Sequence, residues 1–75
     1  MRGVLTELNP YIGTIANLID AEFHEMPGMR LTGAQARRLW NLAPGDCEEA
    51  LGYLCESGQL VRDPSGRYLL PRFEY

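Results

Sequence analysis

Apolar residues recur with helical period over the first third of the chain. Ile12, Ile15, Ala16, Ile19, Phe23 and Met26 fall at i, i+3, i+4, i+7, i+11 and i+14, with Asn17, Asp20, Glu22, His24 and Glu25 off that stripe. Asn9 supplies an N-cap, Pro10 suits the first helical position, and Pro27-Gly28 is a stop signal. A first helix over about 10–26 follows. Thr32 and Gln35 have the spacing of a capping box, in which each side chain satisfies the other's backbone N–H. They open a second helix over about 33–41, with Ala36, Leu39 and Trp40 turned inward. A tight turn through Ala43-Pro44-Gly45-Asp46 leads into a third helix over about 44–57. There Cys47, Ala50, Leu51, Leu54 and Cys55 form the apolar stripe, and Gly58 is the C-terminal stop.

The period then changes. Leu60-Val61-Arg62 and Arg67-Tyr68-Leu69-Leu70 flank Asp63-Pro64-Ser65-Gly66, which predicts a β-hairpin over about 59–70. Met29-Arg30-Leu31 is long enough only for a brief strand. The expected fold class is mainly α with a small β-hairpin, in the order helix, short strand, helix, tight turn, helix, hairpin. Its 75 residues make one domain.

Three stretches carry a family resemblance: Leu31-Thr32-Gly33-Ala34-Gln35-Ala36-Arg37-Arg38-Leu39, the run from Cys47 through Leu51, Leu54, Gly58 and Leu60 to Arg62, and Gly66-Arg67-Tyr68. Together they resemble small, stand-alone bacterial winged helix-turn-helix domains over about residues 10–71. The resemblance implies a three-helix winged helix-turn-helix that binds double-stranded DNA and serves transcriptional regulation. Carried over by position, backbone contacts fall on Thr32, Gln35, Arg37 and Arg38 in the second helix and on Arg62 and Arg67 in the wing. The third helix would enter the major groove with Gly45, Asp46, Glu48, Glu49, Gly52 and Tyr53.

Charge changes that picture. The chain has no lysine, its net charge is −3 and its pI is near 4.9, so it has no bulk attraction for nucleic acid or anionic membrane. Residues 46–57 carry Asp46, Glu48, Glu49 and Glu56 and no base. An alternative reading therefore stands beside DNA binding: a protein-interaction module that uses Glu48, Glu49, Tyr53 and Glu56 on an acidic third helix. Arg37 and Arg38 are open to a blander role as surface ion-pair partners of Glu48, Glu49 or Asp20.

Other chemistry is sparse. Cys47 and Cys55 lie eight apart on one helix, about 12 Å by helical rise, beyond the roughly 7 Å reach of a disulfide. With His24 the sole histidine and no Cys-x-x-Cys pair, the sequence predicts no metal site, no cofactor and no catalytic activity. Its apolar runs fall short of the roughly 20 residues that span a bilayer, and Glu7 and Asn9 interrupt any leader-like core. A cytoplasmic protein is expected. A homodimer is open too, through Val4–Leu8, the first helix or Phe73–Tyr75.

Overall fold

The first helix buries the stripe that its sequence announces. In the computed structural model, which describes residues 10–71, α1 runs Pro10–Glu25, with Ile12, Ile15, Ala16, Ile19 and Phe23 all buried. Met26 departs from the expectation. It falls beyond the helix end and is 52% exposed, because the turn into Pro27-Gly28 begins there. After it come β1 (Leu31–Thr32), α2 (Gly33–Leu39), α3 (Pro44–Glu56), β2 (Val61–Arg62) and β3 (Arg67–Leu69). The molecule is mainly helical with a small three-stranded antiparallel sheet of order β1-β3-β2.

The capping box at the start of α2 is present in both directions. Thr32 N donates to Gln35 Oε1 at 2.9 Å, and Gln35 N donates to Thr32 Oγ1 at 3.1 Å. α2 ends earlier than the expected residue 41, and the cause is local. Asn41 adopts φ +53°, Leu42 N donates to Arg37 O at 2.9 Å, and Asn41 N reaches Arg38 O at 3.4 Å. This is a Schellman closure with asparagine in the left-handed position, which asparagine tolerates better than most residues. The early stop also corrects the expected burial of Leu39, which is 56% exposed. Trp40 packs its ring 6.3 Å from that of Phe23.

α3 starts with Ala43 at the N-cap and Pro44 at the first helical position, and it ends one residue before the expected 57. Cys47, Ala50, Leu51 and Leu54 are its buried residues. Its C-terminus closes in the same way as that of α2: Gly58 takes φ +82°, Gln59 N donates to Leu54 O and Gly58 N to Cys55 O. One core joins α1, Ala36 of α2, α3 and the hairpin residues Leu60 and Leu70, with Leu31, Trp40 and Tyr68 packed against it.

The short strand before α2 completes the sheet, a pairing that the sequence does not reveal. Leu31 pairs with Tyr68 and Thr32 with Arg67, while Val61 pairs with Leu69 and Arg62 with Tyr68. The hairpin turn is organised by Asp63. Its Oδ1 accepts from Ser65 N (3.0 Å), Ser65 Oγ (2.7 Å) and Arg67 N (3.0 Å), and its Oδ2 lies 3.4 Å from Arg30 Nη1. The backbone N–H of Arg67 and the Ser65 hydroxyl, with Ser65 N–H and the Arg30 charge, hold the carboxyl below its usual value of 3.8.

Two predictions test these local devices. Thr32→Ala should cost roughly 1 kcal/mol, visible as a melting-point drop of about 4–8 °C. Adding Gln35→Ala should lower stability further, because the backbone N–H of residue 32 then loses its acceptor as well; an unchanged melting point in Thr32→Ala would contradict the cap. For Asp63, the folded carboxyl titrates below the unfolded one. It therefore stabilises the fold above about pH 4 and loses that contribution as pH falls through its depressed value. Asp63→Asn should be less stable at pH 7 and should flatten the acid limb of a stability-against-pH curve. An acid limb unchanged by the substitution would show that Asp63 does not act this way.

Candidate interaction surfaces on α3 and the hairpin

Burial of one face of α3 fixes what its other face displays. With Cys47, Ala50, Leu51 and Leu54 inward, the exposed positions are Gly45, Glu48, Glu49, Gly52, Tyr53 and Glu56, and Asp46 is half-buried. Tyr53 is 42% exposed and is not part of the core. Glu49, Tyr53 and Glu56 sit at i, i+4 and i+7 on one side of the helix. Among the described residues, Glu48, Glu49 and Glu56 have no cation at ion-pair distance. Three of the four residues of the protein-contact reading, Glu49, Tyr53 and Glu56, therefore share one open surface, and Glu48 is exposed about 100° round the helix from Glu49.

The residues of the DNA reading are more dispersed. Thr32 and Gln35 are tied up in the capping box, which commits the Thr32 hydroxyl and the Gln35 carbonyl oxygen to α2 itself. Arg37 and Arg38 point in directions about 100° apart on α2; Arg37 is half-buried and Arg38 exposed. Arg62 and Arg67 also separate. Arg62 pairs with Tyr68, so Arg67, one residue from Tyr68 on β3, faces the other side of the sheet. The expected grouping of two arginine pairs is thus replaced by another: Arg37 and Arg62 line one groove, and Arg38 and Arg67 do not.

That groove, of about 350 Å³, lies where α2, α3 and the hairpin meet. Cys47 and Leu51 are buried against its base, Glu48 stands beside it, and Tyr68 closes the hairpin side. The Arg62 guanidinium lies over the Tyr68 ring, 5.4 Å from its centroid. Burial pushes the Cys47 thiol up, opposed by the Arg37 charge and reinforced by Glu48. Burial likewise raises Cys55, opposed by Arg62. Both cysteines are free thiols, held away from the thiolate that reactivity requires.

The ion pairs that do form are others than the sequence suggested. Among the described residues they are His24 with Asp20, Nε2 to Oδ1 at 3.4 Å, and Arg30 with Asp63. Arg37 and Arg38 pair with none of Glu48, Glu49 or Asp20. Asp20 Oδ1 has no hydrogen-bond partner, so its approach to His24 is a close contact without hydrogen-bond geometry.

The groove is what sequence reading missed. Its signal was the turn: Asp63 and Arg67 close it, so the flanking Arg62 and Tyr68 must stand opposite each other. Among the described residues no group of His, Cys, Asp and Glu could hold a metal ion, and no helix is long and apolar enough to cross a membrane. The arms proposed for dimerisation, Val4–Leu8 and Phe73–Tyr75, lie outside the described residues. No family model, curated protein or solved structure matches the chain.

Proposed function

We propose that this chain is a winged helix-turn-helix module that binds a protein partner through α3, the partner supplying a cationic surface. One observation carries the reading: the outward face of α3 presents Glu48, Glu49, Tyr53 and Glu56 with no cation paired to them among the described residues. Gly45 and Gly52 lie between these side chains and leave the helix surface low, so a partner can approach closely. An exposed tyrosine flanked by carboxylates suits an arginine or lysine side chain, which stacks on the ring while its charge is met by Glu49 and Glu56. The family assignment is part of the proposal. It is supported by the element order and by the short turn between α2 and α3.

A second reading, direct DNA binding in transcriptional regulation, is favoured by one observation of its own. Arg37 and Arg62 border the same groove and have no carboxylate partner among the described residues. Contacts of that kind grip phosphate without reading bases, and α3 has no Arg, Lys, Asn or Gln to do the reading.

A fluorescently labelled arginine-rich peptide of about ten residues provides the test, read by anisotropy at low salt. Binding should be saturable and should weaken at least fivefold in Tyr53→Ala and in the pair Glu49→Gln, Glu56→Gln. It should be unchanged in Arg38→Gln. The control pair Glu22→Gln, Glu25→Gln on α1 removes the same charge elsewhere. If that pair weakens binding equally, net charge and not the α3 surface is responsible, and the proposal fails.

A further inference from the structure

The three-sided groove between α2, α3 and the hairpin shares only Glu48 with the outward face of α3, and it combines apolar lining with a cationic rim. Its lining is mixed: Ala34, Pro44 and Tyr68 offer apolar surface, and Cys47 and Leu51 lie almost wholly buried behind them. Its rim is cationic on two sides, Arg37 from α2 and Arg62 from β2, against one carboxylate at Glu48. Neither guanidinium is spent on an ion pair among the described residues. Arg62 is also held in place: it lies over the Tyr68 ring, and the strand register sets that residue directly opposite. A guanidinium fixed in this way loses less freedom on binding than a free side chain does. The α2 wall is low, made by Gly33 and Ala34, which leaves the groove open to entry. At about 350 Å³ it lies in the range of small-molecule sites, roughly 300–1,000 Å³.

We propose that this groove binds a small amphipathic carboxylate, its acid group between Arg37 and Arg62 and its apolar body against Ala34, Pro44 and the side of Tyr68 that Arg62 leaves open. Carboxylate is the class chosen because its planar pair of oxygens matches a guanidinium fork, and because Ala34, Pro44 and Tyr68 give an apolar body a contact that inorganic anions cannot use. The site shares only Glu48 with the partner surface on α3; Glu49, Tyr53 and Glu56, which the peptide test alters, lie outside it, so either can fail without the other. The thiol behaviour agrees with the geometry: the Arg37 charge acts on Cys47 at the groove base and opposes the upward push of burial.

Benzoate is the probe, with benzyl alcohol as its neutral counterpart and inorganic phosphate as the anion without an apolar body. Amide 1H–15N spectra of the whole chain should shift saturably with benzoate at Arg37, Cys47, Leu51, Arg62 and Tyr68. Benzyl alcohol and phosphate should each bind at least tenfold more weakly. Arg62→Gln should reduce the benzoate affinity about tenfold. Ala34→Leu, an exposed helix position at the groove wall, should block the site while leaving both cations in place. Spectra of the two variants outside the groove report whether the fold is kept. Equal shifts from benzyl alcohol, shifts that also appear around Arg38 and Arg67, or undiminished benzoate binding in Ala34→Leu would each overturn the assignment.

Discussion

The packing of α1 against α3 is the contact from which the rest of the molecule is set. Ile12, Ile15, Ala16, Ile19 and Phe23 on one helix meet Cys47, Ala50, Leu51 and Leu54 on the other, all within one core. A helix of 3.6 residues per turn cannot bury one stripe without committing the opposite one to solvent. Thus the buried residues of α3 dictate that Glu49, Gly52 and Glu56 face outward, and the two Schellman closures fix where α2 and α3 stop. The hairpin then folds back on the same core through Leu60 and Leu70. In a domain this small no second core compensates for errors in the first.

From that placement the electrostatics follow. Two like charges 4 Å apart repel by about 1 kcal/mol under full water screening and about 4 kcal/mol near a protein surface. An outward α3 face with Glu48, Glu49 and Glu56 set against phosphates would incur that repulsion several times over, and Arg37 and Arg62 are too few to offset it. Against a cationic protein surface the same numbers change sign. The hairpin is different in kind, because its one acid is inward-looking. Asp63 is engaged by Ser65, Arg67 N–H and Arg30, so the tip presents little free negative charge while Arg62 and Arg67 remain exposed. The charge is therefore unevenly distributed, acidic on α1 and α3 and basic along the hairpin and α2.

Much of this was legible in the residues. The helical periods of α1 and α3, the reciprocal Thr32–Gln35 cap and the Gly58 stop are local signals, set by neighbours within a turn, and each lies where the sequence placed it. Leu39 was misplaced because the left-handed Asn41 ends α2 early, although asparagine at such a position is a stop signal in its own right. Pairing of Leu31–Thr32 with β3 was hidden, since two residues carry no period and the partner lies over thirty positions away. The α3 surface could be read from one helix alone. The groove could not, because Arg37, Cys47 and Arg62 come together only through tertiary packing of three elements.

Whether the acidic α3 faces a protein and not DNA, as we propose, is decided by titrating the chain into a labelled duplex of about 25 base pairs over a series of salt concentrations. No saturable binding is expected even at low ionic strength, where phosphate contacts are strongest. Saturable binding whose affinity falls steeply with salt, and whose salt slope drops by about two units in the Arg37→Gln, Arg62→Gln pair, would contradict it.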